Sequence, residues 1–256
     1  MHKQKKIAIF IPTYNAGSTV PLVIDRIPDD IKKKVKEIFV IDNASPDNTY
    51  LTIIGYKAKK NMSNLKIIRN GRNLGYGGSQ KKAFRYAIKK GYDIIIMLHG
   101  DAQYAPEKIP LILEPLEEGK VDMVFGSRMR GAPLKGGMPL WRFFGNRVLT
   151  MLENLILGLN LSEYHSGFRA FSCDALKQIP FNLCTNDYNI DTDILIQFKL
   201  KGLRIAERPI PTHYGKESKS PTVKQTFLYS YNILKSLYYY YLHVKGIRKV
   251  AKFDIK

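Results

Sequence analysis

Three side chains that could bind a metal ion follow one short apolar run of the chain. His99, Asp101 and Gln103 alternate along the sequence after residues 94–96, which are typical of a buried strand. In an extended segment this alternation points all three side chains to the same side. Oxygen ligands with one imidazole suit Mg²⁺ or Mn²⁺, and such an ion usually holds the phosphates of a substrate. A polar turn after a buried strand is the alternative, because short motifs also occur by chance.

The charge of the chain is strongly positive. Its 41 Lys and Arg residues against 22 Asp and Glu residues give a formal net charge of +19. This balance favours anionic partners: nucleic acid, nucleotide phosphates or an anionic membrane surface. The alternative is that the positive charge only increases the solubility of the protein. We expect no nucleic acid, because the carboxylates of Asp42 and Asp101 at strand ends would repel a phosphate backbone.

The length of 256 residues, 45% of them hydrophobic, allows one large core and predicts one or two domains. No apolar run is long enough to cross a bilayer. We interpret the apolar run that ends at Pro12 as a first strand and not as a signal peptide. Cys173 and Cys184 are expected to be free thiols. Together these features predict a cytoplasmic protein.

Strand-like and helix-like segments alternate through the first half of the chain, which implies a mostly parallel sheet with right-handed crossovers. Strands are predicted at 7–11, 37–41, 65–68, 94–96 and 121–125, and helices at 20–27, 45–60 and 79–88, the last after a loop at 73–78. Ligands of such sheets bind beyond the carboxyl ends of the strands. Polar or glycine-rich turns follow the first four strands there, at 13–17, 42–45, 70–73 and 99–101.

The second half of the chain is less regular. It contains predicted helices at 139–157, 187–201 and 222–244, a loop and short strand at 160–172, and a strand at 203–210. The tail at 245–256 is basic. We expect one compact α/β domain over residues 1–220 and a C-terminal appendage over residues 221–256.

An ordered series of motifs resembles the family 2 glycosyltransferases. The motifs are IPTYN (11–15), VIDNASPDNT (40–49), NLG (73–75), HGDAQYAP (99–106), GSR (126–128), SGFRAF (166–171) and ESK (217–219). The series resembles most the polyprenyl-phosphate branch that includes dolichol-phosphate mannose synthase. The resemblance implies a GT-A (Rossmann-like) nucleotide-sugar-binding fold and an inverting, metal-dependent transfer from a UDP- or GDP-sugar to a polyprenyl phosphate.

The resemblance also implies the residues of the nucleotide-sugar site. They are Pro12, Tyr14, Asn15, Asp42, Asn73, Gly75, Asp101 and Arg128. Pro12 and Tyr14 would line the base pocket, and Asp42 would hydrogen-bond the base or the ribose. A packed core aromatic is the alternative for Tyr14.

The resemblance further implies how the leaving diphosphate is stabilised. Asp101 and Gln103 would bind the Mg²⁺ or Mn²⁺ ion that bridges the donor diphosphate. Arg128 would neutralise phosphate charge with its guanidinium fork. Ion and arginine would together stabilise the leaving nucleoside diphosphate, where negative charge grows.

Three positions depart from the family pattern. His99 stands where many members have the first Asp of Asp-x-Asp, and it either ligates the metal or orients a water or phosphate; a catalytically dead scaffold therefore stays open. Asn43 stands where an acid is common. His213 stands where an Arg is frequent, and it would contact phosphate best when protonated.

Acceptor residues are implied by the lipid branch, in which the acceptor is itself a phosphate. Arg142 and Asn146 lie one helical turn apart, like two acceptor-binding positions of that branch, and Arg147 is a further cation. His213 and Lys219 complete this set. A solvated helix face is the alternative for the helical residues.

A saccharide or protein hydroxyl in cell-envelope polysaccharide assembly is the alternative acceptor. Because a hydroxyl must lose its proton, Asp191 is then the candidate catalytic base. A helix-terminal carboxylate that favours the macrodipole would explain Asp191 equally.

The tyrosine-rich segment 227–242 is too polar to span a membrane. Tyrosine favours the water–lipid interface, and the following Lys245, Arg248, Lys249 and Lys252 would each attract anionic lipid by about 1 kcal/mol. We therefore expect an amphipathic helix that associates peripherally with the cytoplasmic membrane face. Packing on the body, or in the dimer interface of a homo-oligomer, is the alternative.

Overall fold

A seven-stranded sheet with strand order β3-β2-β1-β4-β6-β5-β7 forms the centre of the protein. The computed structural model describes residues 4–214 and 222–255. The strands are β1 (Ile7–Thr13), β2 (Glu37–Asp42), β3 (Leu65–Arg69), β4 (Ile94–Met97), β5 (Met123–Ser127), β6 (Arg169–Ser172) and β7 (Ile205–Pro209). Strand β6 pairs antiparallel with β4 and β5, whereas the other pairs are parallel. The prediction of a mostly parallel sheet is confirmed.

Helices cover both faces of this sheet. They are α1 (Val20–Asp25), α2 (Asp29–Lys34), α3 (Thr49–Lys60), α4 (Gly75–Lys89), α5 (Ile109–Glu117), α6 (Leu140–Leu157), α7 (Cys173–Lys177), α8 (Ile190–Leu200) and α9 (Val223–Val244). Helices α2, α5 and α7 were not expected from the sequence. The other helices were expected, and their observed bounds lie close to the predicted ones. The exceptions are the starts of α3 and α4, which each differ by four residues from the predicted starts at 45 and 79.

The sequence of β1 explains the two layers. Ile7, Ile9 and Ile11 belong to one hydrophobic cluster, which includes residues of α1 and α5. Ala8 and Phe10, which alternate with them, belong to the cluster on the other face, with residues of α4 and α8. An apolar run of this kind is typical of a parallel strand that is buried on both faces. In β1 the polar side chain therefore stands at the strand end, where Thr13 is the last residue.

The start of α4 corrects the predicted loop at 73–78. Gly77 and Gly78 favour a turn by composition, but both are helical and buried. The backbone N–H of Gly77 donates to the carbonyl oxygen of Asn186 at 2.7 Å. A Cβ at Gly77 would lie 2.5 Å from the carbonyl oxygen of Thr185. This glycine thus permits a close approach between α4 and the segment before α8.

The C-terminal segment packs on the body of the protein. Helix α9 contacts α6 and α8, and the tail folds back so that Phe253 is buried. Lys252, expected to face anionic lipid, instead forms an ion pair with buried Asp193 at 2.6 Å, so that expectation is wrong. Across residues 4–214 and 222–255, no helix has the combination of length and apolar character that crossing a bilayer requires.

The close approach at Gly77 predicts a loss of stability in the Gly77→Ala variant. The added methyl meets backbone atoms, which cannot rotate away, so we expect the free energy of unfolding to fall by about 1–3 kcal/mol. Thermal unfolding followed by circular dichroism measures this change. The matched control is Gly55→Ala in α3, where nothing lies within 4 Å of the added atom, and which should gain up to about 1 kcal/mol. Equal effects of the two changes would contradict the prediction.

Candidate active site

The turns after β1, β2 and β4 contact one another at one edge of the sheet. The backbone N–H of Asn15, after β1, donates to Oγ of Ser45, after β2, at 2.9 Å. The hydroxyl of Thr19 donates to the carbonyl oxygen of Gly100, after β4, at 2.5 Å. The expected gathering of polar turns at the carboxyl ends of the strands is therefore present.

Asp42 ends β2 as a carboxylate that is 0% exposed. Its Oδ1 accepts a hydrogen bond from the backbone N–H of Ser45 at 3.1 Å, and Nε of Arg69 lies 3.4 Å from Oδ2. Among the described residues, no group donates a hydrogen bond to this Oδ2. Because a buried acceptor is costly when unpaired, Oδ2 is suited to accept an N–H or O–H from a ligand.

The other side chains predicted around the base are less buried. Tyr14 is 45% exposed beside the half-buried Pro12. The alternative that Tyr14 is a core aromatic is therefore wrong. Asn15 has a φ of 51°, a conformation that Asn tolerates better than most residues. These three residues flank Thr13, which pairs with Asp42 of β2 in the sheet.

The hydrogen bonds of Asn43 explain why this position carries an amide and not an acidic side chain. Its Nδ2 donates to Oδ1 of Asn73 at 2.7 Å, and its Oδ1 accepts from the backbone N–H of Leu74 at 2.9 Å and from Nδ2 of Asn70 at 2.9 Å. The amide thus acts as donor and acceptor at once, which a carboxylate cannot do. It holds the loop of Asn73 and Gly75 against the end of β2.

The segment after β4 is not extended, which corrects the expected alternation of its side chains. Strand β4 ends at Met97, and Ala102 has a φ of 59°. The imidazole of His99 packs against Gly167, and its Nε2 lies 3.1 Å from the hydroxyl oxygen of Tyr76. Burial lowers the pKa of His99, although Asp101 opposes the shift, so the ring is held neutral. A role for His99 as a metal ligand stays a prediction.

Asp101 remains the best candidate for an ion shared with a substrate. Its Oδ1 accepts the backbone N–H of Gln103 at 3.2 Å, and no Lys or Arg of the described part of the chain pairs with it. Nowhere in residues 4–214 and 222–255 do three His, Cys, Asp or Glu side chains form a group that could hold a metal. Mg²⁺ commonly binds one or two carboxylates and completes its shell with waters and substrate phosphates. The residues present therefore fit an ion that arrives with a diphosphate.

Tyr76 joins His99 to Asp191 across the site. Its hydroxyl donates to Oδ2 of Asp191 at 3.2 Å. Nε of Arg169 lies 3.6 Å from Oδ1 of the same carboxylate, and Nε2 of Gln80 lies 3.5 Å from it. Burial raises the pKa of the Tyr76 phenol well above its usual value, with Asp191 adding to the shift, so the hydroxyl keeps its proton. Asp191 is thus a buried carboxylate with a donor at each oxygen.

Arg128, after β5, is bound by a carboxylate that sequence motifs did not indicate. Its Nε and Nη2 donate to Oε2 of Glu163 at 3.0 and 2.6 Å, and its backbone N–H donates to Oε1. Burial, the largest single effect, would raise the pKa of Glu163, but the charge of Arg128 and the hydrogen bonds that Arg128 donates together hold the pKa below its usual value. The remaining Nη1 of Arg128 donates to the hydroxyl of Tyr214 at 3.2 Å.

The Glycosyl transferase family 2 model matches residues 8–180, which is more than half of the chain. The chain belongs to glycosyl transferase family 2. Two curated relatives cover most of this family 2 enzyme. It is 28% identical to undecaprenyl-phosphate mannosyltransferase of Micrococcus luteus, over 80% of this chain and 82% of that protein. It is 30% identical to UDP-N-acetylglucosamine–dolichyl-phosphate N-acetylglucosaminyltransferase of Methanococcus voltae, over 84% of this chain and 88% of that protein.

Solved structures show the fold of this glycosyltransferase. Glucosyl-3-phosphoglycerate synthase of Mycobacterium tuberculosis, in complex with Mn²⁺ and UDP-glucose, superposes with a TM-score of 0.70 at 20% identity, over 92% of this chain and 79% of that one. The expected family, the GT-A fold and the hexosyltransferase class are confirmed.

The structure gathers some of the predicted acceptor residues and separates others. Nδ2 of Asn146 lies 3.4 Å from Oε2 of Glu163, the partner of Arg128. The guanidinium of Arg142 lies 5.9 Å from the ring of Tyr214. Arg147 instead lines a separate groove of about 670 Å³ beside Val148 and Met151, so the structure does not bring it to this cluster.

The remaining two acceptor candidates lie elsewhere. The backbone N–H of His213 donates to the carbonyl oxygen of Gln103 at 3.0 Å, which places His213 beside the Asp101 loop with its side chain exposed. Lys219 and its motif at 217–219 lie outside the described residues.

The partnership of Arg128 with Glu163 predicts that the Glu163→Gln variant is strongly destabilised. Removing one charge of a buried pair leaves the other uncompensated, which costs about 3–5 kcal/mol. Because the pKa of Glu163 is lowered in the folded state, this contribution is complete above the unfolded pKa of glutamate and is lost as pH falls through the folded value. Urea unfolding at neutral pH measures the loss.

Glu107→Gln is the matched control for this change. Glu107 pairs with Arg26 at 2.8 Å, but both side chains are exposed. An exposed pair contributes at most about 1 kcal/mol. If the two glutamine variants unfolded at the same urea concentration, the proposed weight of the buried pair would be wrong.

Proposed function

We propose that this enzyme transfers a hexose, with inversion, from a UDP- or GDP-sugar to a polyprenyl phosphate. The observation that carries the proposal is the match, over four fifths or more of both lengths, to two relatives whose names state undecaprenyl phosphate and dolichyl phosphate as acceptors. The common chemistry of their named acceptors is a phosphate on a long isoprenoid.

The donor side of the proposal rests on Asp42 and Asp101. The buried Oδ2 of Asp42 would accept a hydrogen bond from the nucleoside. Asp101, with the amide oxygen of Gln103, would hold Mg²⁺ or Mn²⁺, which when bound neutralises charge on the leaving diphosphate. Glucosyl-3-phosphoglycerate synthase is crystallised with Mn²⁺ or Mg²⁺ and UDP, which supports this donor chemistry. Arg128 would contribute its guanidinium, which Glu163 holds in place.

The surroundings of Asp191 support a phosphate acceptor over a hydroxyl. A general base needs a carboxylate oxygen that can take a proton from the nucleophile. Arg169 and Gln80 face one oxygen of Asp191, and Tyr76 faces the other. A phosphate monoester is mostly a dianion at neutral pH, so as a nucleophile it makes no such demand. Asp191 would then fix Tyr76 and the start of α8.

Exposed apolar side chains on two helices support membrane association. Helix α6 exposes Leu140, Trp141, Phe144, Val148, Met151 and Leu155, and α9 exposes Phe227, Leu228, Tyr231, Leu234, Tyr238 and Tyr241. Helix α6 packs on α9, so these exposed side chains belong to two neighbouring helices. Apolar patches of this kind mark membrane or protein contacts. With the exposed Lys245, Arg248 and Lys249 nearby, we propose peripheral binding to an anionic bilayer on its cytoplasmic side.

Transfer of radiolabelled sugar into organic-extractable lipid tests the reaction. The purified enzyme is given polyprenyl phosphate and a panel of UDP- and GDP-sugars with Mg²⁺ or Mn²⁺, and parallel samples contain EDTA. We expect label in the lipid phase from one donor and none with EDTA. Label that enters an added saccharide but not the lipid would overturn the acceptor assignment in favour of a hydroxyl acceptor.

The Asp101→Asn variant tests the metal assignment. The change removes a charged ligand with almost no change in size, so the fold should persist while transfer falls by about 100-fold or more. The control is Asp174→Asn. Asp174 is exposed, pairs with Lys177, and follows the end of β6 that lies away from Arg169 and the site. Full activity in Asp101→Asn, with both variants folded by circular dichroism, would exclude Asp101 as a ligand.

A further inference from the structure

The tail after α9 contacts the helix that carries Asp191. A short helix at Ala251–Phe253 lies against α8, where Nε2 of Gln197 donates to the carbonyl oxygen of Lys252 at 2.7 Å. Phe253 is buried and its ring packs edge-on to Tyr240 of α9. The backbone at Lys252 is thus fixed to both helices, so its side chain has a defined direction.

The ammonium of Lys252 meets the first turn of α8. Its Nζ lies 2.6 Å from Oδ1 of Asp193 and 3.3 Å from Oγ of Ser236 on α9. The same Oγ accepts a hydrogen bond from Nδ2 of Asn189, the residue before α8, at 3.3 Å. The Asp193 side chain is 0% exposed and that of Lys252 is 17% exposed. A buried, hydrogen-bonded charge pair of this kind fixes geometry as well as charge.

The second carboxylate oxygen of Asp193 contacts the loop before α8, on the side of the active site. Its Oδ2 accepts the backbone N–H of Thr185 at 3.2 Å. The next residue, Asn186, accepts the backbone N–H of Gly77, which is adjacent to Tyr76. The lack of room for a side chain at Gly77 shows how tightly these segments are pressed together. A continuous series of contacts therefore runs from the tail to the hydroxyl that bridges His99 and Asp191.

We infer that Lys252 is a positioning residue of the active site, acting through Asp193 on the segment 185–191. It holds the start of α8 and the preceding loop against α4, so that Tyr76 and Asp191 keep their hydrogen bond. This role goes beyond the proposed transfer reaction and relies on it only for the kinetic readout. Lys252 touches neither substrate nor the reacting atoms, so it is not a catalytic residue.

The Lys252→Met variant, which keeps the length of the side chain and removes the charge, tests the inference in the full-length enzyme. We expect kcat to fall by about 10-fold to 100-fold, as misplacement of a site by an ångström can do, while the KM of the donor changes by less than about 2-fold. The conservative Lys252→Arg variant should regain most of kcat. Lys177→Met, at an exposed pair, is the control and should match the wild type.

A second measurement does not depend on the reaction. Hydrogen exchange of the backbone amides at 184–191 and at Gly77 should be about 10-fold faster in Lys252→Met than in the wild type, because the Thr185 N–H loses its fixed acceptor. If the wild-type enzyme transfers sugar to no acceptor, the proposed function fails, but the exchange measurement still decides the inference. Unchanged exchange in this segment would overturn it.

A purely structural role for Lys252 gives a different result. Folded Lys252→Met would then have a lower Tm but an unchanged kcat, which overturns the inference. If Lys252→Met fails to fold, Asp193→Asn combined with Lys252→Met removes both buried charges and should fold. We expect this double variant to remain slow and to exchange fast at 184–191, and wild-type kcat in it would equally overturn the inference.

Discussion

The geometry of the site depends on the hydrogen bonds that the buried guanidinium of Arg169 donates. Arg169 is 0% exposed and begins β6, the antiparallel strand inserted into the sheet. A buried guanidinium must satisfy its N–H groups inside the protein. It does so with the carbonyl oxygens of Ser166 at 2.7 Å, Tyr164 at 2.5 Å and Asp191 at 3.2 Å. One charge thus fixes the loop before β6 and the start of α8 together.

Both sides of the site follow from this arrangement. The loop held through Tyr164 also carries Glu163, which binds Arg128. The helix start held through Asp191 faces Tyr76 and His99. Most site carboxylates therefore lie beside a cation of this chain: Asp42 beside Arg69, Glu163 beside Arg128, and Asp191 beside Arg169. Among the described residues, Asp101 differs because no Lys or Arg pairs with it. Its carboxylate therefore suits a metal ion that arrives with a substrate.

The sequence predicted the features that arise from local pattern. Apolar runs such as residues 7–11 and 37–41 identified the strands, and the polar turns after them identified the edge that binds ligands. The order of the motifs identified the family. Local pattern also misled in places: the glycines at 77 and 78 suggested a loop, and alternation after β4 suggested one face for His99 and Asp101. In both places tertiary contacts, with Asn186 and with Gly167, override the local preference.

Contacts between distant parts of the chain could not be read in this way. Glu163 and Arg128 are separated by 35 residues, and Lys252 and Asp193 by 59. No periodicity or motif spacing links such pairs, since they meet only when the sheet order is known. No motif indicated Glu163, and the basic tail indicated lipid contact for Lys252. The fold instead buries the Glu163 side chain and leaves that of Lys252 17% exposed.

Because the tail packs on α8, the activity of a protein truncated before α9 depends on more than membrane attachment. Trimming the chain before α9 is a natural way to ask whether the tyrosine-rich helix serves only as an attachment to lipid. Such a truncation would also remove the hydroxyl of Ser236 and the ammonium of Lys252 from the first turn of α8. Loss of turnover in the shortened protein would then have two causes, detachment and a displaced helix start. Point changes on the exposed face of α9, such as Tyr231→Ser, separate the two because they leave its inner face in place.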